Sequence, residues 1–297
     1  MTKIDSIPLP LPLILNGREV ASEVLQKARN EINLLKQEKK RIPGLAVILV
    51  GENPASHTYV KNKEKTCIEL GMYSEVHRLP ASITEPELIK ILDTLNNNKN
   101  IDGILVQLPL PSHIKVDNII NKISPEKDVD GLNPYNLGKL VSGQNCLTPC
   151  TPQGVIEILK HYAIKINGMH AVVVGRSNLV GKPLSILLLQ ENATVTITHS
   201  KTKNLEDIAK SADLLICAIG KANLVNKNWV KPGAIVIDVG INKIIENGVS
   251  KLVGDVDYKS VSNICQAITP VPGGVGPVTI AMLISNTMKA YKMRSER

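Results

Sequence analysis

Apolar side chains in the first half of the chain follow two patterns. Between residues 18 and 39 they recur at helical spacing, which predicts an amphipathic helix. A continuous apolar run predicts a buried strand at 45–50, and further strands are predicted at 76–79 and 101–111. Further helices are predicted at 56–70 before the capping glycine Gly71, at 84–95 behind the capping box Thr84-x-x-Glu87, and at 117–123. The Pro-rich residues 7–15 are expected to be irregular.

In the second half, apolar runs alternate regularly with helical segments. The runs lie at 170–174, 193–198, 213–219 and 234–239, and helices are predicted at 151–162 and 278–293. Such alternation is typical of a parallel, doubly wound sheet. A Pro/Gly-rich junction at 147–154 suggests a domain boundary. We therefore expect two α/β domains: residues 1–148, completed by a C-terminal helix at 277–297, and a Rossmann-like domain at 149–276.

Composition narrows the class of protein. The chain has 297 residues, of which 43% are hydrophobic and 21% charged, as in globular proteins. Its net charge is +8, but basic residues are interspersed with acidic ones and aromatic residues make up 2%. Because stacking aromatics and a basic stripe are both missing from this pattern, nucleic-acid binding is not expected. The charge suits anionic small molecules better.

Cysteine usage and hydropathy set the expected compartment. The five cysteines include no C-x-x-C pair and no accompanying His cluster, so we expect reduced thiols and no metal site. No apolar run approaches the length of a membrane span, and the N-terminus lacks a signal-peptide pattern. We expect a cytoplasmic protein with no membrane partner.

A glycine turn follows the apolar run at 170–174. Gly175 and Gly181 frame it, and a helix follows, so backbone N–H groups at the helix start could receive a phosphate. The G-x-x-x-x-x-G spacing fits an ordinary strand-to-helix turn equally well. Arg176 and Ser177 lie in the turn, and the next strand ends at His199-Ser-Lys-Thr202, with no carboxylate to repel a 2′-phosphate. This favours NADP over NAD.

Candidate chemistry in the first half centres on three side chains. Tyr59 and Lys63 are four residues apart on one predicted helix face, although a solvated basic face would show the same spacing. Gln107 stands at the carboxyl end of a predicted strand, where open α/β sheets bind ligands, but it could equally cap a loop. Further on, the Gly/Pro-rich loop 269–279 has two adjacent glycines, which permit close approach to a ligand.

Five motifs, spread over essentially the whole chain, resemble those of the methylenetetrahydrofolate dehydrogenase/methenyltetrahydrofolate cyclohydrolase family. They occur in this order: Tyr59-Val60-x-x-Lys63, Val106-Gln-Leu-Pro-Leu-Pro111, Lys127-Asp-Val-Asp-Gly131, Pro149-Cys-Thr-Pro152 and Gly175-Arg-Ser-x-x-Val-Gly181. The resemblance implies an N-terminal folate-binding catalytic domain, a Rossmann-like NADP-binding domain, and an active cleft between them. It also implies a homodimer formed through the cofactor domains.

The resemblance further implies two reactions on tetrahydrofolate derivatives: NADP-dependent oxidation of 5,10-methylenetetrahydrofolate, then hydrolysis of the methenyl product to 10-formyltetrahydrofolate. The products feed one-carbon metabolism, including purine, methionine and histidine biosynthesis. The implied substrate contacts are Tyr59, Lys63, Val106, Gln107, Leu108, Asp130, Pro272, Gly273 and Gly274. The implied cofactor contacts are Gly175, Arg176, Ser177, Ser200 and Ile241.

Four of these residues carry the implied catalysis. Lys63 is the expected proton-transfer group, and its ordinary pKa of about 10.4 must fall for it to act near neutral pH. Gln107 would hold the Lys63 amine without adding negative charge. Tyr59 would pack against the folate ring, and Asp130 would accept hydrogen bonds from the pterin. The rival interpretations are a dehydrogenase without cyclohydrolase activity, another Rossmann oxidoreductase, and a non-catalytic binding protein.

Overall fold

A computed structural model of the chain describes residues 11–246 and 248–295. The predictions for residues 1–10, which include the start of the Pro-rich segment, and for 296–297 at the end of the last helix lie outside the described residues. The described chain forms two compact units. The three-stranded unit comprises Ala21–Gln153 and 279–295, and the six-stranded unit comprises 11–20 and Gly154–Val278.

Strands and helices alternate through most of the chain. In chain order the strands are β1 (Leu13–Ile14), β2 (Gly44–Val50), β3 (Tyr73–Leu79), β4 (Gly103–Val106), β5 (His170–Val174), β6 (Thr194–Thr198), β7 (Leu214–Cys217), β8 (Ile235–Asp238), β9 (Asn242–Glu246), β10 (Val249–Val253) and β11 (Ala267–Ile268). The α-helices are α1 (Gly17–Gln37), α2 (Pro54–Leu70), α3 (Glu85–Asn97), α4 (Val116–Lys122), α5 (Pro134–Val141), α6 (Cys150–His161), α7 (Gly181–Gln190), α8 (Leu205–Lys210), α9 (Tyr258–Val261) and α10 (Val275–Ser295). None of the helices in this described part of the chain is long and apolar enough to cross a membrane.

The three-stranded unit is built on a parallel sheet in the order β3-β2-β4. The central strand β2 is buried along its whole length, as its continuous apolar run predicts. Helix α3 covers this core with Leu88, Leu92 and Leu95, and its predicted capping box is confirmed at Thr84 and Glu87. Gly71 ends α2 with a φ of 71°, the conformation expected of a C-terminal cap.

The six-stranded unit contains the predicted parallel sheet, in the order β1-β11-β8-β7-β5-β6. Strands β5 to β8 fall within the four predicted runs and are buried except at the edge strand β6. The fold class predicted from the sequence, α/β with two domains, is therefore confirmed.

The prediction of an irregular N-terminal segment is wrong at Leu13 and Ile14. These two residues form β1, which pairs in parallel with β11, and the N–H groups of Leu13 and Leu15 donate to the carbonyls of Gln266 and Ile268. As a result the described residues up to Val20 group with the six-stranded unit, whereas we expected them in the N-terminal domain. A two-residue strand at a sheet edge is held by backbone hydrogen bonds, so no side-chain pattern predicts it.

Several further elements, among them α5 and the β9–β10 hairpin, have no counterpart among the sequence predictions. Helix α5 has eight residues, and its buried side chains are Asn136 and Leu140. The antiparallel hairpin exposes large apolar side chains such as Ile245 and Val249. The hairpin has no buried side chain and so gives no periodic apolar signal, whereas α5 faces the core with Leu140 as its one buried apolar side chain, too few to reveal helical spacing.

Candidate active site

Helix α2 presents Lys63 on its buried face. Val60, Lys63, Cys67 and Leu70 follow one another at spacings of three and four, and all four side chains are buried. The helix begins after Asn53, whose side-chain oxygen accepts N–H groups from the first turn. Lys63 is 9% exposed. The alternative of a solvated basic face is therefore wrong at Lys63.

Gln107 holds the Lys63 amine. It directly follows β4, and its backbone N–H donates to the carbonyl of Ile48 over 2.8 Å. The Lys63 Nζ donates to Gln107 Oε1 over 3.0 Å, and Gln107 Nε2 donates to the Leu108 carbonyl over 2.9 Å. Because an ammonium only donates, the amide oxygen must face Lys63. The expected position of Gln107 at the strand end and its pairing with Lys63 are both observed.

Burial lowers the pKa of Lys63 below its ordinary value, because the charged form is poorly solvated there. The negative charge of Asp130 and the thiol of Cys150 act in the opposite direction. Gln107 is neutral and adds no charge of its own. The lysine therefore releases its proton at lower pH than a free lysine does.

Tyr59 lies one turn before Lys63 on α2. Its ring is half-buried, and burial raises the pKa of its phenol above 10. The phenol therefore stays protonated at neutral pH and keeps its hydrogen-bond donor.

The turn that carries Asp130 is fixed by its neighbours. The buried Asp128 accepts the Asn133 N–H at 2.8 Å and the Asn136 side-chain amide at 3.0 Å, both on Oδ2. Gly131 follows with a φ of 69°, and a Cβ there would meet the backbone of Thr148 and Pro149. Asp130 is partly exposed within this rigid frame.

Lys127, the first residue of the same motif, has a structural role. Its side chain is 1% exposed, and Nζ donates to the carbonyls of Leu95, Asn96 and Asn98 at the end of α3. A lysine in this place satisfies the orphan carbonyls of the helix end. Burial lowers the pKa of Lys127 to about 8.

Asn286 on α10 ties the Asp130 turn to the rest of the unit. Its Nδ2 donates to the carbonyls of Val129 and Thr148, each over 2.8 Å. The Cys150 thiol also donates to the Val129 carbonyl, and burial raises its pKa well above 9. Sequence reasoning gave Asn286 no role, although a lone amide in the apolar stretch of α10 was the available signal.

The remaining predicted substrate contacts fall in two places. Val106 is buried at the end of β4, and the Leu108 carbonyl accepts the Ser56 hydroxyl at 3.5 Å. Pro272, Gly273 and Gly274 lie in the six-stranded unit, between β11 and α10. Gly273 has a φ of 109°, its carbonyl accepts the Gly17 N–H, and a Cβ on Gly274 would collide with the Pro270 carbonyl. This loop requires its glycines, and its contact with folate stays a prediction, as does the expected cleft.

The glycine turn of the six-stranded unit is tight. Gly175 directly follows β5 with a φ of 131°, and a Cβ there would strike the Ala218 carbonyl. A Cβ on Gly181 would strike the Gly175 carbonyl in turn. Ser177 Oγ accepts the N–H groups of Val180 and Gly181 at the start of α7. The compact backbone and the exposed side chains of Arg176 and Ser177 fit a nucleotide at the carboxyl edge of the sheet.

Ser200 belongs to a neighbouring turn. Strands β5 and β6 are adjacent, with Val174 opposite Thr198, so the turns that follow them lie side by side. The His199 N–H donates to Thr202 Oγ1, and the Thr202 N–H donates to the His199 carbonyl. Ser200 is exposed in this closed turn. The fold thus brings the Ser200 turn beside the Arg176 turn, as a shared 2′-phosphate site requires.

Ile241 lies between β8 and β9 and is 45% exposed. The residues on either side of it are anchored: Gly240 N–H donates to Asp238, and the Asn242 side chain donates to Asp255. Sequence reasoning assigned no part to these two carboxylates. Their signal was an Asp next to a glycine, or one residue from it, at the end of an apolar run, in Gly-Asp255-Val and in Asp238-Val-Gly.

A buried amine with a lowered pKa suits proton transfer, and a parallel sheet with a tight glycine turn at its carboxyl edge suits a dinucleotide. These features define the class as a dinucleotide-dependent enzyme of two α/β domains. Residues 15–130 match the catalytic domain of tetrahydrofolate dehydrogenase/cyclohydrolase, and residues 149–295 match its NAD(P)-binding domain. The chain belongs to the tetrahydrofolate dehydrogenase/cyclohydrolase family, which confirms the resemblance carried by the five motifs, and it is an enzyme with both activities.

Full-length relatives support this assignment. The bifunctional protein FolD of Brevibacillus brevis is 52% identical over 284 residues, which are 96% of this chain and 99% of that protein. The crystal structure of bifunctional FolD from Campylobacter jejuni is 48% identical with a TM-score of 0.91, covering 95% of this chain and 99% of that one. A Trypanosoma brucei relative, solved with NADP and an inhibitor, is 39% identical with a TM-score of 0.93, covering 97% and 100%.

Proposed function

We propose that this enzyme oxidises 5,10-methylenetetrahydrofolate with NADP and hydrolyses the resulting 5,10-methenyl cation to 10-formyltetrahydrofolate. The observation that carries the proposal is the buried Lys63 amine, bonded to the neutral Gln107 amide over 3.0 Å. Burial lowers the pKa of this amine and so favours the neutral form, which can accept a proton from water as the hydrolytic step requires.

A single proton-transfer group, Lys63, is sufficient for the hydrolytic step. The oxygen of water attacks the carbon between N5 and N10, and Lys63 accepts the proton released from that water. Lys63 then returns the proton to N5 as the bond from carbon to N5 breaks. The carbonyl of the formyl group forms when the remaining hydroxyl proton leaves to solvent. Gln107 holds the amine in place through both transfers.

Tyr59 and Asp130 would bind the folate. Tyr59 presents a half-buried ring on the Lys63 face of α2, which suits packing against a flat heterocycle. Asp130 offers carboxylate oxygens that accept hydrogen bonds from the amino and ring N–H groups of a pterin. Val106, Leu108, Pro272, Gly273 and Gly274 complete the proposed contacts with the folate.

The six-stranded unit would hold NADP, which supplies the hydride acceptor of the first step. Gly175 allows close backbone approach, while Arg176, Ser177 and Ser200 offer one positive charge and two hydroxyls for the 2′-phosphate. The Ile241 backbone would contact the nucleotide as well. The preference for NADP over NAD rests on the positive and hydroxyl groups that follow the adjacent strands β5 and β6.

We further propose a homodimer formed through the six-stranded unit. The β9–β10 hairpin exposes Ile245 by 79% and Leu252 by 45%, on one face of the hairpin. A two-stranded hairpin is marginal alone, and exposed apolar faces of this kind are often covered by a partner. Sedimentation of a monomeric species at micromolar concentration would count against the dimer.

A cytoplasmic location is proposed on the chemistry of the cysteines. All five are free and buried thiols. Free thiols are typical of a reducing compartment. Cell fractionation that recovers the enzyme outside the cytoplasm would refute this location.

Two assays test the proposed function. The first follows reduced cofactor after 5,10-methylenetetrahydrofolate is mixed with NADP, and the second follows decay of 5,10-methenyltetrahydrofolate above the uncatalysed rate. Lys63→Met should abolish the second signal while the thermal midpoint stays near that of the wild type, because it removes the amine and keeps an apolar chain. Normal hydrolysis in Lys63→Met would overturn the role of Lys63.

A further inference from the structure

Two buried carboxylates lie at the carboxyl edge of the six-stranded sheet. Asp238 ends β8 and is 3% exposed, and Asp255 follows β10 and is fully buried. The proposed chemistry makes no use of either group. Burying carboxylates is costly, and burial raises the pKa of Asp238 to about 6.

Asp255 gathers donors from two other segments. Its Oδ2 accepts the N–H groups of Ile219 at 2.6 Å and Gly220 at 2.9 Å. Its Oδ1 accepts the N–H of Lys221 and the Nδ2 of Asn242, each at 2.9 Å. One carboxylate thus holds the loop after β7 and the first residue of β9.

Asp238 holds Asp255 in turn. Its Oδ1 accepts the N–H groups of Gly240 and Asp255, and its Oδ2 accepts the N–H of Val256, all at 2.9 Å. A Cβ on Gly240 would strike the Asp255 carboxylate, and a Cβ on Gly254 would strike that of Asp238. Each carboxylate is therefore packed against a glycine of the other segment, and the two form a reciprocal lock.

The lock surrounds the predicted cofactor contact at Ile241. Gly240 on one side is bonded to Asp238, and Asn242 on the other is bonded to Asp255. The loop 219–221 follows β7, which lies between β5 and β8 in the sheet. In open parallel sheets, ligands bind at this carboxyl edge. The same bonds thus fix two segments where a dinucleotide would lie.

We propose that Asp238 and Asp255 are positioning residues that hold the loop 219–221 and the Ile241 backbone in the conformation that receives the nicotinamide nucleotide. The proposal rests on the proposed function, since it presumes that this unit binds NADP. Neither carboxylate touches the reacting atoms; Asp238 acts through backbone N–H groups, and Asp255 acts through backbone N–H groups and the Asn242 side chain. The lock pre-organises the loops, so binding does not have to order them.

Three variants test the proposal. Asp255→Asn replaces an acceptor of four bonds by an amide that can accept on one side only. Asn242→Ala removes one donor to Asp255 from a strand end that faces solvent in part. Asn263→Ala is the matched control, because it removes an amide that donates to the Lys259 carbonyl elsewhere in the same unit.

The direct readout is the NADP dissociation constant from fluorescence or calorimetric titration, measured beside the thermal midpoint and both activities. Asp255→Asn should weaken NADP binding at least ~tenfold, and Asn242→Ala about two- to tenfold. Asn263→Ala should bind as the wild type does. Cyclohydrolase activity should stay within about twofold of wild type in all three, since Lys63 and Gln107 lie in the other unit.

A double variant separates positioning from direct contact. If Asn242 acts through Asp255, the Asp255→Asn/Asn242→Ala protein should bind NADP no more weakly than Asp255→Asn alone. If the two substitutions instead weaken NADP binding additively, Asn242 does not act through Asp255. If Asp255→Asn does not fold, the Asn242→Ala variant tests the proposal alone. Unchanged NADP binding in Asn242→Ala would then refute it.

The remaining outcomes are distinct. A wild-type protein that does not bind NADP would refute the proposed function itself. A wild type that binds NADP, with Asp255→Asn binding equally well, would refute the positioning role alone. A fall of both activities together with the thermal midpoint would show a purely structural role and overturn the inference.

Discussion

At the scale of single residues, the charge that faces the Lys63 amine is set by Gln107. Gln107→Glu would place a carboxylate 3.0 Å from Nζ in place of a neutral oxygen. A nearby opposite charge favours the ammonium form, so the pKa of Lys63 should rise by about one to three units. The rising limb of the cyclohydrolase pH profile should move to higher pH by the same amount.

Gln26→Glu is the matched control for this prediction. It makes the same change of charge on the exposed face of α1, where the Gln26 side chain bonds to Asn30. Its pH profile should coincide with that of the wild type. A Gln107→Glu profile that does not move would show that Lys63 is not the titrating group.

The carboxyl group of Asp128 tests how much the ionisation of a buried side chain destabilises the fold. Its Oδ2 carries both hydrogen bonds described above, while Oδ1 is buried without a hydrogen-bond partner among the described residues. Burial raises the pKa of Asp128 from 3.8 to about 6. The folded state therefore binds this proton more tightly than the unfolded state, and the burial penalty grows as pH rises from about 4 to about 6.

Asp128→Asn should remove that penalty, because the amide can keep its oxygen at the Oδ2 position. Relative to wild type, the variant should gain up to about 3 kcal/mol of unfolding free energy between pH 4 and pH 7, at ~1.36 kcal/mol per unit. Urea unfolding at both pH values measures this change. A difference between the two proteins that is independent of pH would contradict the buried charge.

Residue identity made some of the site predictable. Tyr59 and Lys63 share a helix face by spacing alone, and Gln107 ends a strand that the apolar run reveals. The lock was beyond the same reasoning, because Asp255 accepts from backbone N–H groups 34 to 36 residues away. The structural role of Lys127 could not be predicted either, because a sequence pattern does not distinguish a lysine that caps a helix from one in solvent.

At the scale of elements, the last turn of α10 is anchored by one ion cluster. Arg294 Nη1 donates to the Ile101 carbonyl and to Asp102 Oδ1, over 2.6 and 2.7 Å. Asp102 is fully buried and also receives a two-pronged bond from Arg41. Arg294→Leu should cost about 1–3 kcal/mol of unfolding free energy, since Asp102 then loses one of two cations but keeps the other.

Lys292→Leu gives the comparison on the same helix. Lys292 pairs with Glu31 at 2.8 Å, but both side chains are about half exposed. Exposed pairs contribute ~0–1 kcal/mol, so this variant should unfold in urea close to the wild type. Equal losses in the two variants would mean that the Asp102 cluster does not anchor the helix.

Elements with strong local signals were predicted well. Helices α2 and α3 carry caps at their ends, and β2 has a continuous apolar run. Strand β1 and the β9–β10 hairpin were missed, because the first is held by backbone pairing with a strand about 250 residues away and the second has no buried face. Local sequence specifies an element only where its own side chains pack or cap.

At the scale of the whole molecule, the net charge of the protein acts on NADP and NAD alike. The net charge of +8 attracts any anionic dinucleotide, so it raises the binding of NADP and NAD together. Discrimination between them must come from groups that meet the 2′-phosphate. Arg176, exposed beside the Ser200 turn, is the proposed group.

Arg176→Gln should therefore lower kcat/KM for NADP by about 10- to 100-fold and leave that for NAD within about threefold, because a charge-assisted bond to phosphate is lost. Lys182→Gln is the control, since it removes an equal charge from an amine that bonds to Asn178 Oδ1 at 2.8 Å. Both variants lower the net charge by one, so the long-range attraction falls equally in each. Equal losses with NADP and NAD in Arg176→Gln would place Arg176 on the part of the nucleotide that the two share, and the origin of the NADP preference would then lie with the hydroxyl groups of Ser177 and Ser200.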